Sequence, residues 1–249
     1  MPDWPAVTAA GVIVGVLFGL FGVGGSSFAT PALGLLGVPG LLAVAAPLPA
    51  TIPAALVGMV TYVRRRQVEW PVARWSILGG VPGTVVGALC SRYVGGRGLL
   101  IASGVVLALV GARILFPLPE QRLALRERRR AAIVVPAAAA IGLVTGLLAN
   151  GGGFLLVPLF VLVLGLTMPE SAGTSLVVIA ALSVPTLITH WSLGHIDGPV
   201  AAAFAAGSIP GAGIGSLLAQ RLPTDAMKRA FGVLLIGFAT YFIARQLSR

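Results

Sequence analysis

Long apolar runs dominate this chain. Residues 71–89, 98–116, 131–149, 172–193 and 199–219 each approach or exceed the ~20 residues that carry an α-helix across a bilayer. A helix buried in a soluble core seldom stays apolar on every face over such a length. Charged residues make up 10% of the chain, against roughly 25% in soluble domains, so too little polar surface remains to face water. The sequence reads as an all-α, polytopic transmembrane helix bundle of about eight crossings, with the lipid bilayer as its first partner.

The net charge of +10 does not mark a nucleic-acid binder. The arginines sit at the ends of apolar spans, the pattern of loops on the cytoplasmic side of a membrane. The single cysteine, Cys90, lies in an apolar run and builds neither a disulfide nor a thiolate metal cluster. No Lys or Arg precedes the first apolar segment, as a cleavable signal would require. That segment is expected to stay as a membrane helix.

The chain carries an internal duplication. Gly15-x-x-x-Gly19-Leu20-x-x-x-Gly24-Gly25 returns as Gly142-x-x-x-Gly146-Leu147-x-x-x-Gly151-Gly152, an offset of 127 that holds to Pro31 and Pro158. The offset then becomes 128. It pairs Thr61 with Thr189, and Gly79-x-x-Pro82-Gly83-x-x-x-Gly87 with Gly207-x-x-Pro210-Gly211-x-x-x-Gly215. Residues 1–116 form the first transmembrane repeat and 131–249 the second. The linker 117–130 carries five arginines and is expected on the cytoplasmic side.

Each half opens with a glycine-interrupted stretch (6–36 and 131–164) and continues with three helices. These are expected at 41–63, 71–92 and 98–116, then at 171–193, 199–220 and 226–247. The 31 residues of 6–36 would reach about 46 Å as one helix, too long for one upright crossing and too short for two. Consecutive glycines cost a helix ~1 kcal/mol each relative to alanine. Two short helices are therefore expected to meet at a break inside the membrane. The stretch either crosses, making the halves parallel, or turns back, making them inverted. The basic loop 64–66 has an uncharged counterpart at 192–194, while Arg221, Lys228 and Arg229 fall in the next loop, which favours inversion.

A break within a bilayer is tolerated only where its backbone is buried in protein or lines a wet cavity. A helix N-terminus there presents free N–H groups that suit an anion. The candidate binding residues are Gly24, Gly25, Ser26 and Ser27 in the first half, and Asn150, Gly151, Gly152 and Gly153 in the second. Two breaks meeting near the midplane would place them where transporters hold substrate. Thr174 and Ser175 add adjacent hydroxyls at a helix start. Gly15, Gly19, Gly142 and Gly146 are read instead as small-residue packing positions. The other hydroxyls, among them Thr51, Thr61, Thr145 and Thr189, have backbone carbonyls a turn earlier as alternative partners. Tyr62 and its counterpart His190 are gating candidates. Trp70, Trp75 and Trp191 read as interface anchors; Arg74 and Arg113 read as snorkelling cations.

All seven carboxylates lie in loops or near segment ends. Cation and proton carriers usually keep an intramembrane Asp or Glu, so the pattern argues against cation transport and leaves room for an anion carrier. No metal-ligand cluster, nucleophile elbow, P-loop or paired carboxylate appears. No catalytic residue, metal or cofactor is expected, and the chain reads as no enzyme.

The segments GLFGVGGSSFATPAL (19–33) and GLLANGGGFLLVPLF (146–160) are the repeated core of this pattern. Together with the Gly-x-x-Pro-Gly-x-x-x-Gly helices, they resemble the sulfite exporter TauE/SafE family of membrane permeases. The resemblance spans about residues 11–244. It implies a multi-pass carrier in the bacterial inner (cytoplasmic) membrane for a small sulfur-containing anion, sulfite or an organosulfonate, working without ATP. A coupling proton and a homo-oligomer are both compatible with it. The second half keeps Gly173-Thr174-Ser175-Leu176, whereas the first has Ala45-Ala46-Pro47-Leu48, so polar donors are lost on one side. The alternative is a non-transporting membrane subunit or assembly factor that packs on a partner through its glycine faces.

Overall fold

The computed structural model describes residues 3–38, 45–90, 112, 127–148, 153–192 and 196–247. Among these residues the chain is helical, with no strand. In the first half lie α1 (Trp4–Phe21), α2 (Gly25–Leu35), α3 (Leu48–Arg64) and α4 (Trp70–Cys90). The second half holds α5 (Glu127–Leu148) and α6 (Gly153–Pro158), which runs on as a π-helix (Leu159–Val163). It continues with α7 (Met168–Ser192), α8 (Gly198–Ala219) and α9 (Thr224–Leu247). The helix expected at 98–116 lies outside the described residues, as does Arg113. The last residues of the expected linker, 127–130, already belong to α5.

Among the described residues four helices, α1, α4, α7 and α8, are long and apolar enough to cross a membrane, and α3 and residues 131–147 of α5 form shorter apolar helices. Lipid-facing side chains such as Ile13, Leu78, Ile188 and Leu217 are exposed, as a bilayer solvent requires. Carboxylates serve the helix ends. The Asp197 side chain accepts from the Val200 N–H at 3.1 Å and caps α8. Glu170 accepts from the Thr167 N–H at 2.8 Å at the start of α7.

Two glycine-faced helix pairs form the flanks. Gly11, Gly15 and Gly19 of α1 press on the backbone of Phe204, Ser208 and Ala212 of α8. In return, Gly207, Gly211 and Gly215 press on α1. The other flank repeats this with α4 and α5: Gly79, Gly83 and Gly87 meet Val135, Ala139 and Leu143, while Gly142 and Gly146 meet Gly80 and Thr84. A Cβ at any of these positions would overlap a neighbouring carbonyl or backbone. Lipid offers no hydrophobic drive between helices, so such close van der Waals contact, with Cα–H···O contacts, is what holds them. The glycine faces of α1, α4, α5 and α8 named here are thus occupied within the chain.

These contacts also fix direction. Residue numbers rise together across α1 and α8, so the two helices are parallel, and so are α4 and α5. Helix α3 runs with α8, because Pro49 lies beside Ala201 while the Thr61 and Ser216 hydroxyls bond at 2.9 Å. Helix α7 runs against α3, since Gly173 abuts Tyr62 and Leu176 abuts Gly58. It runs with α4, where the Glu69 N–H donates to Thr174 Oγ1 and Leu182 meets Gly80. Hence α1, α3 and α8 point one way, and their repeat counterparts α5, α7 and α4 point the other. The repeats are inverted, about a central pair formed by α3 and α7.

Inversion gathers most of the described basic residues at one end of the bundle, while Arg245 belongs to the C-terminal end of α9, at the other. The C-terminal ends of α1, α3 and α8 lie there with the N-terminal ends of α4, α5, α7 and α9. Arg64, Arg65 and Arg66 belong to that end, as do the segments carrying Arg128–Arg130, Arg221, Lys228 and Arg229. Arg74, one turn into α4, is exposed near the same end. Asp3, Trp4, Trp191 and Asp197 mark the opposite end.

Candidate functional site

The first break differs from two short helices meeting inside the membrane. Helix α1 holds 18 residues and spans about 27 Å by itself. Its stop is Gly22, with φ of 67°, whose N–H donates to the Phe18 carbonyl at 2.8 Å. A Cβ at Gly22 would press on the Ala172 backbone of α7, and its left-handed φ already disfavours other residues. The sequence pointed to Gly24 and Gly25, two residues further on, so the residue that makes the turn was missed. Because α1 and α3 are parallel, the chain between them turns back rather than crossing onward.

The turn is held by two side chains. Ser175 Oγ donates to the Gly22 carbonyl at 2.8 Å. The Tyr62 hydroxyl points at the Gly19 and Leu20 carbonyls, at 2.9 and 3.1 Å. Those carbonyls belong to the last turn of α1, where helix partners run out. Tyr62 is fully buried, and Gly173 abuts its ring carbons. Thr174 is also buried and bonds the Glu69 N–H at 3.0 Å, joining the start of α7 to that of α4. Thr174, Ser175 and Tyr62 thus converge on the arginine-rich end of the first break. Tyr62→Phe is expected to lower stability by about 1–2 kcal/mol, read as a lower midpoint of thermal unfolding in detergent, because two buried carbonyls lose their donor.

After Gly22 the chain folds inward. Gly24 precedes α2 with no side-chain cap, and Gly25 begins the helix, buried against Phe18 and Val14 of α1. Gly25 lines a cavity of about 10 Å³ with Val14, Gly15 and Phe18 of α1, Ala50, Thr51 and Ala54 of α3, and Phe204 and Ser208 of α8. That volume is near the lower limit for one water molecule, and its surface is apolar. Val14 and Ser208 lie in the middle of α1 and α8, and Thr51 lies in the first turn of α3. The α2 N-terminus therefore lies inside the bundle, beside an apolar void.

Ser26 and Ser27 occupy the first turn of α2; their side chains lie outside the described residues. Asn150, Gly151 and Gly152 also lie outside them. Gly153 begins α6, the counterpart of α2. His190 stands in α7 near the end away from the arginines, with its side chain outside the described residues. The remaining hydroxyls are mostly spent locally: Thr51 on Pro47 O, Thr145 on Gly142 O and Thr189 on Pro185 O. Thr61 instead reaches Ser216 across the α3–α8 contact. Ser208, a residue beside the cavity with a buried, unpaired hydroxyl, was missed by sequence reasoning; its only signal was a serine inside the glycine run of α8.

Comparison with known proteins matches residues 7–242 to the model of a family described as sulfite exporter TauE/SafE. A probable membrane transporter protein of Xylella fastidiosa (strain 9a5c) is 30% identical, with 95% of this chain and 94% of that protein covered. The probable membrane transporter protein YjnA of Bacillus subtilis (strain 168) is 26% identical, over 87% of this chain and 90% of its own. No solved structure matches.

Proposed function

The chain belongs to the sulfite exporter TauE/SafE family, and we propose that it is a secondary carrier of a small sulfur-containing anion, sulfite or an organosulfonate. It is a multi-pass membrane transporter by family and by its apolar helices. The finer reading rests on one observation: the uncapped N-terminus of α2 at Gly25 lies inside the bundle, beside an apolar void at the α1–α3–α8 contact. Backbone N–H groups of Gly24, Gly25, Ser26 and Ser27 would bind the anion's oxygens from the first half. Asn150, Gly151, Gly152 and Gly153 would do so from the second, as inverted repeats allow. Thr174 and Ser175 would support the first break rather than bind directly, since Ser175 already donates to Gly22.

Inversion supplies the transport cycle. Each repeat would take in turn the conformation of the other, exposing the site alternately to the two sides. Tyr62 would close the arginine-rich end, where it bonds the last turn of α1, and His190 would serve the opposite end. No acid, base or metal set is needed for such a cycle, and the chain acts as a carrier, not an enzyme. A proton is a candidate coupling ion.

The arginine-rich end, including the linker 117–130, is assigned to the cytoplasmic face of the bacterial inner membrane by its excess of Arg and Lys. A cysteine at Arg65 (in a Cys90→Ala background) is expected to react with an impermeant maleimide only after the membrane is opened. A cysteine at Ser192 is expected to react in intact cells. The reverse pattern would overturn the orientation. The function itself is tested by flux of radiolabelled sulfite into proteoliposomes, with sulfate, taurine, sulfoacetate and thiosulfate as competitors. Saturable flux blocked by one competitor identifies a carrier and ranks its substrates. Absence of flux from inserted, folded protein would contradict the reading.

A further inference from the structure

Perfectly inverted repeats would make the two ends of the bundle chemically alike; here they differ. At the arginine-rich end two buried hydroxyls of α7 reach across to the first repeat. Ser175 donates to the Gly22 carbonyl at 2.8 Å, and Thr174 accepts from the Glu69 N–H at 3.0 Å. The offset of 128 places Pro47 and Ala46 at the matching positions of the first repeat. Proline has neither an N–H nor a hydroxyl, and the alanine side chain has no polar atom. Neither contact can therefore form at the opposite end. There α3, α7 and α8 border a cavity of about 440 Å³, whose lining includes Pro49, Trp191, Gly198, Ala202 and Ala205. The counterparts of Gly198, Ala202 and Ala205 at the arginine-rich end are Trp70, Arg74 and Ile77. Small side chains leave room at one end where larger ones stand at the other.

We propose that Ser175, with Thr174 beside it, is a one-sided latch that holds the arginine-rich end shut and makes the form open at the opposite end the resting state of the carrier. This rests on the carrier reading above and adds to it a bias between the two forms. Reaching the first break from the arginine-rich side requires α7 to part from α1, because the Ala172 backbone lies against Gly22. That parting breaks the Ser175 bond. It strips the donor from a carbonyl just past the last turn of α1, where helix partners have run out. Both partners sit in a buried, low-dielectric contact, which strengthens the bond that is lost. Closing the other end returns no equivalent bond, since Pro47 stands in the place of Ser175. An anion shifts the balance only by binding the second form more tightly than the first.

The test uses two single-cysteine reporters in a Cys90→Ala background, labelled with a maleimide in opened membranes. Ser171→Cys is nearly isosteric, at a fully buried serine whose hydroxyl has no partner, next to Ala172 at the latched end. Ala205→Cys lines the cavity at the other end. With the latch intact, the first is expected to react slowly and the second readily. Adding Ser175→Ala is expected to speed the Ser171→Cys reaction about tenfold, the weight of one buried hydrogen bond, and to slow the Ala205→Cys reaction. Thr84→Val removes a hydroxyl that bonds within its own helix, to the Gly80 carbonyl at 2.9 Å, and should change neither rate. Unchanged rates in Ser175→Ala would overturn the latch. A rise at both reporters would also overturn it, because it marks a loosened bundle rather than a shift between two forms. Absence of saturable sulfite flux from wild type would remove the carrier reading alone, and the reporter rates would still decide the latch.

Discussion

Gly19→Ala is expected to destabilise the folded chain by about 3 kcal/mol, near the upper end of overpacking costs, and to abolish a monodisperse peak in detergent. The added methyl would overlap the Ala212 carbonyl of α8. A carbonyl of a continuous helix has no alternative rotamer, so only separation of α1 from α8 relieves the contact. That separation would in turn loosen Gly15 from Ser208 and Gly215 from α1. The same outcome is expected for Gly83→Ala, whose methyl would overlap the Ala139 carbonyl on the pseudo-symmetric flank. Gly237→Ala is the control. That glycine is exposed on α9, with no atom within 4 Å of the added carbon. Its replacement is expected to be neutral or to add up to ~1 kcal/mol through helix propensity. Thermal unfolding monitored by size exclusion checks all three. Equal behaviour of Gly19→Ala and Gly237→Ala would contradict the packing described.

Gly25→Leu tests the site in the opposite way, by filling it. A Cβ at Gly25 meets only side-chain carbons, Phe18 at 3.6 Å and Val14 at 3.8 Å, which is ordinary contact. Alanine is therefore expected to be tolerated. Leucine adds three further carbons at a cavity of about 10 Å³. It would block the approach of any anion to the α2 N-terminus while leaving the α1–α8 and α4–α5 contacts in place. Flux is expected to fall by about tenfold or more, equivalent to at least ~1.4 kcal/mol. Stability should fall far less than in Gly19→Ala.

Much of this fold is written in the sequence, because a bilayer removes most alternatives. Apolar runs of bilayer length placed α4, α7 and α8 to within about three residues of their ends, a usual boundary uncertainty. The repeated glycine spacing marked the packing faces before any partner helix was known. Direction was harder to read. The shift of basic residues from the 64–66 loop to the 221–229 region favoured inversion. The pairing of Gly173 with Tyr62 and of Leu176 with Gly58, which sets α7 against its counterpart α3, settled it, since pairing between distant segments leaves no local signature. The break was partly legible. Tandem glycines announced that the helix stops, but the turn falls at Gly22, because left-handed geometry and the approach of Ala172 are properties of the fold. Ser175 was singled out as a donor, yet its acceptor is a backbone carbonyl 153 residues away. Ser208 went unnoticed because nothing local distinguishes a serine whose hydroxyl stays unpaired from one that bonds the previous turn.

The most direct measurement is radiolabelled sulfite flux into proteoliposomes holding equal amounts of inserted wild-type protein and Gly25→Leu. The account predicts saturable flux from wild type and its loss in the variant, with both proteins folded. Flux that persists undiminished in Gly25→Leu would show that the α2 N-terminus is not where the anion binds.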